Sequence, residues 1–136
     1  SPITIAGQPI SGNWEMYQLP MSEVPDFTKL GNNNVFKNGS SQANRLKDCP
    51  VLYEGTFTLD ETGDTFIDME AWGKGIIFIN GHNIGRYWKV GPQQTLYIPG
   101  VWLKKGENKI VIFEQLNETP MTEVKTVKTP ILMNLK

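Results

Sequence analysis

A chain of 136 residues with 13 basic and 14 acidic side chains has a net charge of −1. It is long enough to bury about two-thirds of its unfolded surface around one core, but too short for a complete (β/α)₈ barrel, which needs about 250 residues. The balanced charge and the lack of a basic run exclude the electrostatic footprint of a nucleic-acid binder or a polybasic membrane protein.

Cys49 is the only cysteine. No internal disulfide can form, a thiolate zinc site lacks partners, and a lone Cys beside Pro50 reads as a small buried apolar residue. No apolar run approaches the length of a membrane span, and no secretory signal leads the chain. It opens on Ser1-Pro2 rather than Met, as a cut-out piece or a processed product does. Residues 1–12 are expected to be a lead-in from a preceding domain, and residues 13–136 one sandwich.

Thirteen glycines and nine prolines interrupt most windows in which a helix could form, whereas strand signals are plentiful. Trp14–Leu19 alternates and predicts a strand near a sheet edge. Residues 20–49, rich in Pro, Gly, Asn and Ser, read as a long connection with a helical turn near Asp26–Leu30. Val51–Leu59 predicts a strand with Tyr53, Phe57 and Leu59 on one face, and a bulge or close contact at Gly55. Asp60–Asp64 reads as a hairpin turn. Thr65–Ala71 then sends Ile67, Met69 and Ala71 inward. Ile76–Ile79 is apolar on both faces, as a central strand covered on both sides is.

Asn80-Gly81 predicts a type I′ turn, because both residues tolerate positive φ, and the chain returns through Ile84–Trp88. Further strands are expected at Thr95–Ile98 and Lys109–Gln115, separated by turn chemistry at Lys104–Asn108. Residues 117–129 read as a polar connection, and Ile131–Leu135 as a closing strand. About eight strands with long crossovers predict an all-β, antiparallel jelly-roll β-sandwich.

Asp68 and Glu70 are a carboxylate pair of the kind glycosidases use. At i and i+2 on a strand their Cα atoms lie about 7 Å apart, but the alternation marks them as a solvated face. Glu114 follows an apolar run and is expected to be partly buried, paired with Arg86 or Lys74. His82 is the only histidine and makes neither a triad nor a metal site by itself. Asn32-Asn33-Asn34 and the Asp60–Asp64 turn carry oxygen ligands without the regular spacing of a calcium loop. No metal and no cofactor is expected. Asn38-Gly39-Ser40 and Asn117-Glu118-Thr119 match the glycosylation pattern.

The aromatic residues are the strongest binding clue. Sugar sites set an aromatic face against the ring and use Arg, Asn or His for the hydroxyls. Trp72, His82, Asn83, Arg86, Trp88 and Trp102 supply those types and are the candidate sugar-binding residues. Core or interface packing is the competing reading of each, with Arg86 alternatively buried and stacked between rings.

The longest signal is the run Trp72-Gly73-Lys74-Gly75, Ile79-Asn80-Gly81 and Gly85-Arg86-Tyr87-Trp88, followed by Gly91-Pro92-Gln93-Gln94-Thr95-Leu96-Tyr97 and Pro99. In order and spacing it resembles the C-terminal galactose-binding-like sandwich of family 35 glycoside hydrolases, the β-galactosidases. Trp14–Pro20 is similar to the strand that leads into that domain, while residues 26–49 and 115–136 resemble nothing recognisable.

The resemblance implies a parent that cleaves terminal β-galactosyl bonds with two glutamates on a separate TIM barrel, so no catalytic residue carries over. It implies partners in that barrel and in other β-domains of the parent, with β-galactosides as a further candidate ligand and neither nucleic acid nor membrane. An exported location, periplasm or cell surface, is expected, with the lysosome as the alternative. Two other readings stand beside the accessory sandwich: a genuine carbohydrate-binding module, and a small enzyme built on Asp68 and Glu70. A fold name does not by itself establish sugar binding.

Overall fold

The computed structural model describes residues 4–10, 12–13, 15–18, 20–24, 26, 50–116, 121 and 123–131. Trp14, Leu19, the helical turn at 27–30, Asn32–Asn34, Asn38, Cys49, Asn117 and the closing strand beyond Ile131 lie outside them.

Two antiparallel sheets make an all-β sandwich. The first, in the order β3-β8-β5-β6, contains β3 (Val51–Leu59), β5 (Lys74–Ile79), β6 (His82–Trp88) and β8 (Gly106–Glu114). The second, in the order β7-β4-β9, contains β4 (Thr65–Asp68), β7 (Thr95–Ile98) and β9 (Lys125–Val127). A separate hairpin pairs β1 (Thr4–Ile5) with β2 (Gln8–Pro9). Among the described residues the only helical element is a 3-10 turn at Gly100–Trp102.

Alternation decides which side chains meet between the sheets. Ile77, Ile79, Tyr87 and Ile112 from the first sheet close on Ile67, Leu96 and Ile98 from the second, with Met69, Trp72 and Leu103 from the connections completing the core. Tyr53, Phe57 and Leu59 extend this face along β3, as their spacing predicts. Burying each such side chain stabilises the fold by about 1.5–3 kcal/mol. Central β5 is covered on both faces, as its unbroken apolar run predicts: Ile77 and Ile79 point inward, and Phe78 is fully buried on the other side.

The β5–β6 hairpin turns through Asn80 (φ 50°) and Gly81 (φ 89°), both in the left-handed region that a type I′ turn demands. A bulge then breaks its register. Ile77 pairs with Gly85 and Phe78 with Asn83, leaving Ile84 as the extra residue. Ile84 can thereby join the core beside Gly85, while Arg86 and Trp88 stay on the outer, solvent-facing side.

Several expectations are corrected. Asp60–Asp64 is not a hairpin turn, because β3 and β4 belong to different sheets and this segment crosses between them. Asp64 anchors the crossing by accepting a 2.8 Å hydrogen bond from the Gly100 amide. The β3–β8 register runs through Gly55 without a bulge. Ala71 is exposed because the strand stops at Asp68 and the chain turns, the Trp72 amide donating to the Met69 carbonyl. Residues 15–18 form no strand and are exposed. The polar segment after residue 120 contributes β9, which pairs with β4 at Phe66–Asp68.

Candidate functional site

Glu114 is 2 % exposed and sits under the Trp72 turn. Its expected ion pair with Arg86 or Lys74 is not what holds it. Arg86 is on the outer face of β6 and exposed, whereas Glu114 faces the core opposite Gly75. The carboxylate instead accepts hydrogen bonds from the amides of Gly73 (2.9 Å), Lys74 (3.0 Å) and Leu116 (2.9 Å), and from the Tyr87 hydroxyl (3.1 Å). Backbone donors thus replace the water that a buried carboxylate loses.

The glycines of Trp72-Gly73-Lys74-Gly75 follow from this node. A Cβ on Gly73 would lie 2.9 Å from Glu114 Oε1, and one on Gly75 would overlap the Phe113 carbonyl and the Tyr87 hydroxyl. Trp72, 3 % exposed, closes the node edge-on against Tyr53 and Tyr87, with ring centroids 5.2 and 6.4 Å away. Its ring faces are therefore core surface, unlike the open platform that sugar stacking needs.

The other candidate sugar residues fall into two separate places. On the outer face of β6, Trp88 is 46 % exposed with the Lys74 ammonium 4.7 Å above its ring, and Arg86 stands two residues away on the same face. Arg86 is thus not the buried, ring-sandwiched arginine considered from sequence. At the hairpin tip, His82 stacks on Trp102 at 4.8 Å and 9°. Asn83 is occupied structurally: its Nδ2 donates to the Met21 carbonyl and its Oδ1 accepts from the Gly85 amide.

The tip rests on an amide pair, Asn80 and the buried Asn108, that turn chemistry concealed. Asn80 Nδ2 donates to the Trp102 carbonyl and to Asn108 Oδ1, both at 2.8 Å. Asn108, 1 % exposed, accepts from the Lys104 amide and donates to the carbonyls of Lys104 and Gly106.

Asp68 and Glu70 do share a surface. They line an open concavity of about 250 Å³ with Ala71, Trp72, Met121, Glu123 and Lys125. Asp68 Oδ1, however, accepts from the Glu70 amide at 2.9 Å, which ties the pair into the turn. Lys125 Nζ lies 3.3 Å from Glu123. Among the described residues no group of three metal-ligating side chains converges.

Residues 50–108 match the family described as "Beta-galactosidase, galactose-binding domain". Residues 50–108 carry the signature of a β-galactosidase galactose-binding domain. The chain is 38 % identical over 129 residues to Beta-galactosidase 1 of Dictyostelium discoideum, an alignment covering 93 % of this chain and 18 % of that protein. It is 37 % identical over 142 residues to Beta-galactosidase 8 of Oryza sativa subsp. japonica, covering 87 % and 21 %. With Beta-galactosidase-1-like protein 2 of Homo sapiens it shares 47 % over 72 residues, covering 52 % and 11 %. The chain therefore spans about a fifth or less of the length of these relatives.

Within the galactose-binding domain, the matched stretch holds the two glycines of the Glu114 node, the Asn80-Gly81 turn and Tyr87, while Glu114 itself lies just beyond it. Sequence reasoning missed the roles of Tyr53, Asn108, Met121, Glu123 and Lys125. The paired glycines flanking Lys74 were the available signal for the node, since closely spaced glycines on a buried strand mark a close approach.

Three tyrosines are expected to make the domain alkali-sensitive. Burial, followed by the negative charge of Glu114, pushes the Tyr87 hydroxyl well above its usual range. Tyr53 is raised chiefly by burial, and Tyr97 by its hydrogen bond to Asp64. Groups whose folded pKa exceeds the unfolded value near 10 contribute stability that is complete below that pH and is lost as pH rises above it. Urea midpoints are therefore expected to be level with respect to these groups in neutral solution and to fall above about pH 10. Tyrosinate absorbance from Tyr87 should appear together with the loss of tertiary circular dichroism. Full ionisation of all tyrosines in a still-folded domain contradicts the node as described.

Proposed function

We propose that this chain is a non-catalytic accessory β-sandwich of a β-galactosidase, packing against the catalytic barrel and other β-domains of the parent and shaping access to the substrate. The observation that carries the reading is coverage: nearly the whole chain aligns with β-galactosidases, yet it accounts for a small share of their length. The fate of the carboxylates supports it. Glu114 accepts from four donors among the described residues, and Asp68 is tied into the turn that it shares with Glu70.

The test is turnover of an aryl β-galactoside by the purified chain and by the full-length parent. The chain alone is expected to be inactive and the parent active. Hydrolysis by the chain that disappears in Asp68→Asn or Glu70→Gln overturns the reading in favour of a small enzyme.

A second reading, a galactoside-binding module, is favoured by one feature: the half-exposed Trp88 with Lys74 above it and Arg86 alongside, an aromatic face next to hydrogen-bond donors. NMR titration with galactose and short β-galactosides separates the two. Localised shifts around Lys74, Arg86 and Trp88, abolished by Trp88→Ala, establish the module. Unchanged spectra at sugar concentrations far above a weak-binding Kd leave the accessory role.

A further inference from the structure

The first described part of the chain does not belong to the sandwich. β1 and β2 are two residues each and pair with one another through Thr4–Pro9 and Ile5–Gln8, outside both larger sheets. Even a longer two-stranded hairpin is marginal alone in water. From Thr4 to Gln18 every described residue except Ile10 is exposed.

This segment also carries three of the most exposed large apolar side chains among the described residues: Ile5 at 68 %, Met16 at 84 % and Tyr17 at 85 %. The Tyr17 hydroxyl donates only locally, to Glu15 at 2.8 Å. The sandwich takes hold of the chain further on, at Met21, whose carbonyl accepts from Asn83 Nδ2. Met21 and Val24 are then half-buried.

We propose that residues 4–18 are a docking arm, with Ile5, Met16 and Tyr17 seated on the part of the parent polypeptide that lies outside residues 1–136. This rests on the reading of the chain as one domain of a larger β-galactosidase. The small size of the apolar surface selects a partner in cis. A stable complex with a free partner or a second copy buries upwards of about 1,000 Å², beyond what three side chains on a narrow arm supply. A surface on the same polypeptide is held at high effective concentration and needs far less. The length of the relatives beyond the aligned region provides that surface.

The experiment places photoreactive benzoylphenylalanine at position 17 of the full-length parent and maps the cross-linked peptides. Cross-links within one polypeptide to residues outside 1–136 are the expected result. Cross-links to residues 50–131 mean that the arm folds onto its own sandwich, a dimer-sized product means a second copy, and no product means a solvated arm; each overturns the proposal.

As a second readout, the double substitution Met16→Asp with Tyr17→Asp is expected to lower the thermal midpoint of the full-length protein by several degrees. It should leave that of the 136-residue chain unchanged, and equal effects in both also overturn docking. Galactoside turnover by the full-length parent tests the underlying reading separately, since a parent without that activity can still dock its arm.

Discussion

Gly75→Ala is expected to cost about 3 kcal/mol or more, a large share of the about 5–15 kcal/mol by which an ordinary domain is stable. A Cβ at this position would overlap the Phe113 carbonyl and the Tyr87 hydroxyl and carbon Cζ. Tyr87 is buried and held by Glu114, and Phe113 is in the β5–β8 ladder opposite Ile76. Neither is the free end of a flexible side chain, so the methyl group must part the two central strands of the larger sheet. Overpacking of a close-packed interior ordinarily costs about 1–3 kcal/mol, and a clash with strand backbone belongs at or above the top of that range. Gly63→Ala is the control. A Cβ there meets nothing within 4 Å, and its effect on the urea midpoint should be small. A Gly75→Ala loss below about 1 kcal/mol would mean that β5 and β8 do not approach as described.

Removing the Glu114 side chain is the other large effect, at about 3–5 kcal/mol for Glu114→Ala. The substitution strands three backbone amides and the Tyr87 hydroxyl in a site from which water is largely excluded, and opens a cavity beneath Trp72. Glu114→Gln keeps the volume but has one acceptor oxygen in place of two, and it turns an NH₂ group toward donors. It should therefore recover only a minor part of the loss. Tyr87→Phe removes a single hydrogen bond and should cost about 1 kcal/mol. In a double-mutant cycle, Tyr87→Phe should cost markedly less once Glu114 is gone. Additive effects, or a Glu114→Gln variant as stable as the parent, would show that the carboxylate is not the organising acceptor.

Local pattern was a good guide where one residue type could satisfy a local demand. Asn80-Gly81 predicts its turn because the two positive φ angles are set by chain geometry alone. The alternation of Tyr53, Phe57 and Leu59 and the unbroken run of β5 report burial that the structure bears out. The pattern misled where a partner distant in sequence decides the outcome. Glu114 reads as the partner of Arg86 or Lys74 side chains, but two of its donors are the amides of a turn some 40 residues earlier and a third is the Tyr87 hydroxyl. Asp60–Asp64 looks like a hairpin because turn chemistry is the same whether the chain doubles back or crosses to another sheet. β9, at Lys125–Val127, looks like a polar connection because an edge strand needs little apolar character when only one side of it is covered.

The candidate sugar residues divide in the same way. Residue type alone put Trp72, His82, Asn83, Arg86, Trp88 and Trp102 into one group. The bulge at Ile84 and the turn over Glu114 separate them into a buried core ring, a stacked tip and an exposed patch with Arg86 and Trp88.

The sequence by itself determined the all-β class, the strands at Val51–Leu59, Ile76–Ile79 and Ile84–Trp88, the type I′ turn and the family resemblance. Each is written in periodicity, in φ-permissive residues or in a long ordered motif. Only the tertiary structure decided which carboxylate is buried and by what it is satisfied, which aromatic rings remain available, and that the described residues between Thr4 and Gln18 stand apart from the sandwich. Those outcomes depend on solvent exclusion and on contacts between residues tens of positions apart, and no local pattern records them.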